Sequence, residues 1–219
     1  MKFVKNDLIR KELLEVLSNE MGRKDWLDRG LHVTDMIYCL TKAAYKRKNG
    51  AKNTEKEILL FAGGLGLEEA MLKGEVKTAV GVLEGLSYSV DRIDGFSGVP
   101  LEFKSTRVSP KKLEEFGFKE GWQKQILSYM KGTGYREFIL AVYHIFGPDL
   151  QTFEVTATDV EVEENWAWIM ERKRVYEWYQ ERGLMPTPFR YAEAWECASC
   201  AWKIVCEARA LTEKEERPE

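Results

Sequence analysis

The chain is 219 residues long, 44% hydrophobic and 32% charged, which is enough for one sizeable α/β domain with a full core. No run approaches the roughly 18 apolar residues of a membrane span, which argues against a membrane protein. A net charge of −3 excludes a global basic field, so contact with nucleic acid has to come from local patches or a bound cation.

At the N-terminus, Leu8, Ile9, Leu13, Val16 and Leu17 fall at helical spacing with charges between them, which predicts an amphipathic helix and not a signal peptide. The expected location is therefore cytoplasmic, where four cysteines are more readily metal ligands than disulfides. Residues 22–30 read as a loop. Thr34 or Asp35 then caps a helix expected to run past Cys39 through Ala43, Ala44 and Tyr45. Thr54-Glu55-Lys56-Glu57 is a capping box that opens a helix over 54–73. Gly63, Gly64 and Gly66 each cost that helix about 1 kcal/mol relative to alanine, so close packing or a nearby ligand is expected beside them.

Residues 86–94 and 99–104 look like two strands of a hairpin joined by a Gly/Ser turn. With a side-chain period of two, Glu102 and Lys104 share one face, while Leu101 and Phe103 point the other way into a core. Asp94 on the first strand completes a set of two carboxylates and an ammonium at a sheet edge. Burying such charges is costly unless they are paired or hold a metal. One carboxylate from each strand supplies the oxygen ligands a hard cation such as Mg2+ prefers, and the lysine can orient or help deprotonate an attacking water. The other reading is a cross-strand ion-pair set. Glu-x-Lys also occurs at Glu75-Val76-Lys77 and Glu171-Arg172-Lys173, but only the copy at 102–104 follows an aspartate across a turn between apolar strands.

Ser105 to Gly121 is a Gly/Pro-broken segment carrying Arg107, Lys111, Lys112 and Lys119, either a grip on nucleic-acid backbone or a plain solvated loop. A helix over 121–132 sets Gln125 and Tyr129 four apart on one face. Residues 136–146 form an apolar, central strand with His144 near its end, and 151–156 form the next. A long helix from Asp159 to Arg182 carries Trp166, Ile169, Val175, Trp178 and Tyr179, which read as core. Cys197-x2-Cys200-x5-Cys206 follows, with Cys39 the remaining cysteine. Cys-x2-Cys lets two thiolates reach one metal from a tight turn, and zinc and an iron–sulfur cluster both accept four thiolates. Either would tie residue 39 to residues 197–206, and its loss should unfold the C-terminal part. Three regions of one compact domain result: a helical 1–53 with the first cysteine, a core over 54–158, and a helix and cysteine region over 159–219.

Asp94, seven residues, then Glu102-x-Lys104 resembles the signature of the PD-(D/E)XK nuclease fold. Taken with Cys39, Gln125-x3-Tyr129 and the late cysteines, the chain from about residue 31 to 208 resembles the RecB-like nucleases of the CRISPR-associated Cas-four exonuclease family, and the AddB nuclease domain is similar in the same respects. The resemblance implies a restriction-endonuclease-like α/β core, a mixed central sheet flanked by helices, with a helical iron–sulfur appendage joining the N- and C-terminal parts. It implies a four-iron four-sulfur cluster on Cys39, Cys197, Cys200 and Cys206. It also implies hydrolysis of DNA, with Mg2+ or Mn2+ on Asp94, Glu102 and the Phe103 carbonyl, and Lys104 serving the water. Gln125 and Tyr129 match a family motif that helps position the strand. The family's histidine ligand, at the end of G-x-x-x-H, is replaced here by Glu68, with Glu69 as a rival. A carboxylate there could still hold the cation, and it leaves endonuclease action open beside the expected exonuclease action. The family's Cys-Pro-Arg is here Cys39-Leu40-Thr41. The expected substrate is single-stranded DNA or frayed ends, and the expected partners are CRISPR adaptation or recombination proteins. The alternative is a non-catalytic DNA-binding or scaffold subunit.

Overall fold

The computed structural model describes residues 7–22, 30–50, 52–72, 79–95 and 97–212. The expected loop at 22–30 lies almost wholly outside them, as does the Glu75-Val76-Lys77 copy of the pattern. Helix α1 (Asp7–Gly22) forms where the apolar spacing predicts it, and its Arg10 bonds Glu55. Strand β1 (Leu31–His32) runs into α2 (Val33–Ile37), whose cap is His32 and not Thr34 or Asp35: the imidazole accepts from Thr34 N–H, and Asp35 reaches back to His32 N–H.

The single helix expected through Cys39 is two helices. The chain turns extended at Tyr38, and α3 (Leu40–Asn49) restarts with Cys39 as its N-cap, the sulfur accepting from Lys42 N–H at 3.4 Å. The break has a tertiary cause. Arg172 donates to the Met36 and Tyr38 carbonyls, which a continuing helix would have used for its own ladder. Helix α4 (Glu55–Leu72) opens on the expected capping box, Thr54 and Glu57 exchanging hydrogen bonds of 2.9 and 3.2 Å.

Strands β2 (Val80–Leu83) and β3 (Leu86–Ser89) pair antiparallel, and β1 joins β3 in parallel, giving a three-stranded sheet ordered β1-β3-β2. The strand expected over 86–94 therefore splits. Val90 is fully buried with its N–H on the Ala79 carbonyl, and β4 (Arg92–Ile93) then leaves to pair with β5 (Pro100–Thr106) in a second sheet. That sheet is ordered β4-β5-β6-β7, where β6 (Glu137–His144) is parallel to β5 and β7 (Asp149–Thr156) is antiparallel to β6. The apolar run of β6 is interior, as its sequence predicts.

Two helices lie in the β5–β6 crossover. The segment expected as a basic loop contains α5 (Pro110–Phe116), capped by Ser109 and ended by Gly117 at φ 75°. Helix α6 (Glu120–Thr133) buries Trp122, Ile126, Tyr129 and Met130 against both sheets and α7 (Asp159–Glu181). Trp166, Ile169, Val175 and Tyr179 of α7 are core, while Trp178 is half-buried. His144 is fully buried at the end of β6, its ring 2.6 Å from the Val108 carbonyl and 3.0 Å from Gln151 Oε1, the local partners expected of it. Last come α8 (Ala194–Cys197) and α9 (Lys203–Thr212), folded against α3 through a stacked Tyr45–Trp202 pair at 4.7 Å. The result is a mixed α/β fold with mixed sheets flanked by helices, consistent with a PD-(D/E)XK-like core. No described helix is long and apolar enough to cross a membrane.

Candidate active site and cysteine region

Strand β5 lies between β4 and β6, and α6 covers one of its faces. The charges expected at a sheet edge lie on an interior strand, and Leu101 is less buried than expected. Glu102 is 1% exposed on the face beneath α6, and Leu101 is half-buried, while Phe103 is buried as expected. Gln125 on α6 reaches Glu102 directly, and Tyr129, one turn further along, reaches Gln125. Glu102 Oε1 accepts from Lys104 Nζ at 2.5 Å and from Gln125 Nε2 at 2.8 Å. Gln125 Oε1 in turn accepts from Lys104 Nζ at 3.0 Å, and its Nε2 donates to the Tyr129 hydroxyl at 2.8 Å. Glu102, Lys104, Gln125 and Tyr129 thus form one closed network.

The second carboxylate oxygen is different. Glu102 Oε2 is buried and has no hydrogen-bond partner among the described residues. A buried anionic oxygen left this way is unfavourable by itself and suits a cation. Burial pushes the Glu102 carboxyl up to about 8; Lys104 opposes that, while Asp91 and Glu68 add to it. Burial pulls Lys104 the other way, but the Glu102 and Asp91 charges outweigh it and keep the ammonium protonated. Burial and Glu102 hold Tyr129 well above the ordinary phenol range.

Of the two aspartates in Asp91-Arg92-Ile93-Asp94, it is Asp91 that acts on both Glu102 and Lys104, and its Oδ2 accepts from Phe103 N–H at 2.8 Å. Asp94, the aspartate singled out by spacing, accepts at 2.7 Å from both the N–H and the hydroxyl of Ser97 and closes the turn. A signal for this was present. An aspartate before glycine is a turn residue whose carboxylate bonds the chain two or three positions on. In a strand, the N–H and C=O of one residue point to the same edge. The Phe103 carbonyl therefore faces the edge where Asp91 sits.

Between Glu68 and its rival, Glu69 is exposed, whereas Glu68 is half-buried and near enough to raise Glu102. The cause lies one turn back. Gly64 faces β5, with Ser105 Oγ 3.5 Å from where a Cβ would stand, and Glu68 follows on the same face. Close packing at Gly63 and Gly66 is not found, since nothing lies within 4 Å of a Cβ at either.

The four cysteines are free thiols brought together from both ends of the chain. Cys39 N–H donates to Glu196 Oε1 at 2.9 Å, Trp202 N–H to Cys200 Sγ at 3.4 Å, and Thr54 Oγ1 to the Ser199 carbonyl at 3.0 Å. The thiols act on one another: burial, then Cys39 and Cys200, push the Cys206 thiol up to about 12. Burial likewise raises Cys39 and Cys197. Converging thiols of this kind, two of them accepting N–H bonds, suit a cationic centre that would stabilise the thiolates. Among the described residues, no three His, Cys, Asp or Glu side chains already stand in the geometry of a bound metal ion.

No protein-family profile matches the chain, and no curated protein sequence does. Among solved structures, the crystal structure of SSO0001 superposes with a TM-score of 0.58 at 16% identity, covering 92% of this chain and 97% of that one. An alkaline exonuclease, LHK-Exo from Laribacter hongkongensis, superposes at 0.47 and 14% identity, covering 73% of this chain and 97% of that one. The first is a likeness of fold; the second is too loose to carry an argument.

Proposed function

We propose that the protein is a metal-dependent DNA nuclease, acting on single-stranded DNA or frayed ends, as an exonuclease in preference to an endonuclease. The observation that carries this reading is Glu102. A carboxylate is held in the core with one oxygen bound by Lys104 and Gln125, and the other has no partner among the described residues. A purely structural ion pair would satisfy both oxygens. Mg2+ or Mn2+ would be held by Asp91, Glu102 and the Phe103 carbonyl, with Glu68 beside them, and would supply a more acidic water and charge neutralisation at the phosphate.

The chain's own part is positioning. Gln125, steadied by Tyr129, fixes the Glu102 carboxylate and the Lys104 ammonium relative to each other. Lys104 stays charged and orients the attacking water or offsets charge on the phosphate as it builds. Cys39, Cys197, Cys200 and Cys206 would hold a four-iron four-sulfur cluster, a reading supported by their convergence and by the family resemblance. CRISPR adaptation or recombination proteins remain the partners that resemblance suggests.

The test is cleavage of DNA labelled separately at its 5′ and 3′ ends, single-stranded, duplex and circular, with Mg2+ or Mn2+, beside Lys104→Ala. Metal-dependent product that disappears in the variant is expected, with circles left intact by an exonuclease. A folded, metal-loaded protein that cuts nothing would leave only a DNA-binding or scaffold subunit.

A further inference from the structure

At the break between α2 and α3, the ring of Tyr38 lies over Gly121 in the first turn of α6. A Cβ at Gly121 would stand 2.9 Å from Tyr38 Cε1 and 3.1 Å from its hydroxyl, so only glycine admits the ring there. Gly121, Gln125 and Tyr129 follow one another at intervals of four on one helix face. Tyr38 is thereby set at the head of the row that binds Glu102 and Lys104, near enough for its hydroxyl to respond to both charges.

Trp195 stands against Tyr38 from the cysteine region, ring centroids 6.1 Å apart and planes at 86°. It is 63% exposed, whereas every other described tryptophan is buried or half-buried. The segments that carry the pair are tied down. Glu196, next to Trp195 in the chain, binds Cys39 N–H at 2.9 Å, and Arg172 ties the Tyr38 and Tyr191 carbonyls at 2.6 and 3.2 Å. An open indole face thus stands one ring away from the buried carboxylate and ammonium, with Tyr38 between. Lys119 lies at the start of α6, close enough to Lys104 for the two ammonium groups to repel.

We propose that Trp195, backed by Tyr38, is a stacking step for one nucleobase of single-stranded DNA whose neighbouring phosphate enters the Glu102–Lys104 site. This rests on the nuclease reading above. The occupant follows from the chemistry: an exposed π face backed by a tyrosine that feels the Lys104 charge suits a base attached to a phosphate. Duplex bases have both faces covered by their neighbours, so the step selects unpaired strands.

The test is the affinity of a fluorescein-labelled single-stranded oligonucleotide, read by anisotropy with Ca2+ replacing Mg2+, together with the affinity of a blunt duplex. Trp195→Ala should weaken single-strand binding about 5- to 150-fold, with duplex binding nearly unchanged, and Trp195→Phe should recover most of the loss. An abasic site walked along the oligonucleotide should reproduce that loss at one position in the wild type and add nothing there in Trp195→Ala. Since Trp195 is exposed, circular dichroism and melting should show the variants folded. Gly121→Ala, which displaces the Tyr38 ring, should give a smaller loss in the same direction. Single-strand affinity unaffected by Trp195→Ala, or lost equally for single strand and duplex, would overturn the step and leave the indole to a protein partner. Trp195-dependent binding without cleavage under Mg2+ or Mn2+ would keep the step and remove the nuclease. Cleavage with Trp195-independent binding would do the opposite.

Discussion

Burial pushes the Glu102 carboxyl up to about 8, so below that pH a cation arriving at Oε2 competes with a proton. Mg2+ affinity should therefore rise with pH and level off above about 8, which calorimetric titration from about pH 6 to about pH 9 would read. An affinity independent of pH in that range would remove Glu102 from the ligand set. Stability follows the same sign. A carboxyl raised from 4.5 to about 8 stabilises the fold at acid pH, and that contribution is lost as pH rises through about 8 unless a cation replaces the proton. Lys104→Ala should slow cleavage about 10²- to 10³-fold, the scale of losing one preorganised charge at a reacting centre. Asp91→Asn should abolish the rise in melting temperature that Mg2+ produces. Asp94→Asn should keep that rise while lowering stability by roughly 1 kcal/mol through the turn it closes. Glu102, Lys104, Gln125 and Tyr129 were legible because spacing within one strand or one helix decides which side chains meet. The choice between Asp91 and Asp94 was not, because it depends on where the chain leaves one sheet for the other.

Helix α6 is the element through which the site is assembled, and the C-terminal end of the same face is equally constrained. The Tyr88 hydroxyl donates to the Gly132 carbonyl at 2.7 Å, and a Cβ on Gly132 would lie 2.6 Å from that ring. Gly132→Ala should destabilise the protein by about 1–3 kcal/mol, measured by urea unfolding, because a ring bonded to the same residue cannot retreat. The helices α1, α4, α6 and α7 and the strands β5, β6 and β7 were readable from periodicity and caps. Two of the misread elements share one cause. The helix through Cys39 is broken by an arginine 134 positions away from Tyr38, and the strand over 86–94 is divided between two sheets. Neither competitor is visible in a local window.

At the scale of the molecule, residues 39–57 and 185–209 are fastened by packing and by hydrogen bonds. Tyr45, Trp202 and Cys206 form a small second core, Thr54 Oγ1 donates to the Ser199 carbonyl at 3.0 Å, and Arg209 donates to the Tyr45 hydroxyl at 3.3 Å. Replacing Cys197 by Ser should therefore raise hydrogen exchange in α3 and α9 while β5 and β6 stay protected; uniform loss of protection would mean the cysteine region supports the whole fold. That the cysteines would converge was legible from their number and spacing; spacing does not choose between zinc and iron–sulfur, since four thiolates serve either. The bond between Cys39 N–H and Glu196 joins residues 157 positions apart, and this long span bears on synthesis. A ribosome delivers β5, α6 and β6 well before Arg172 and Glu196, so the carboxylates, Lys104 and Gln125 can gather while Tyr38 and Cys39 still lack what holds them. A nascent chain then carries the buried charge network first, and the Tyr38–Trp195 pair and the set of cysteines come together only once residues 172–206 have emerged.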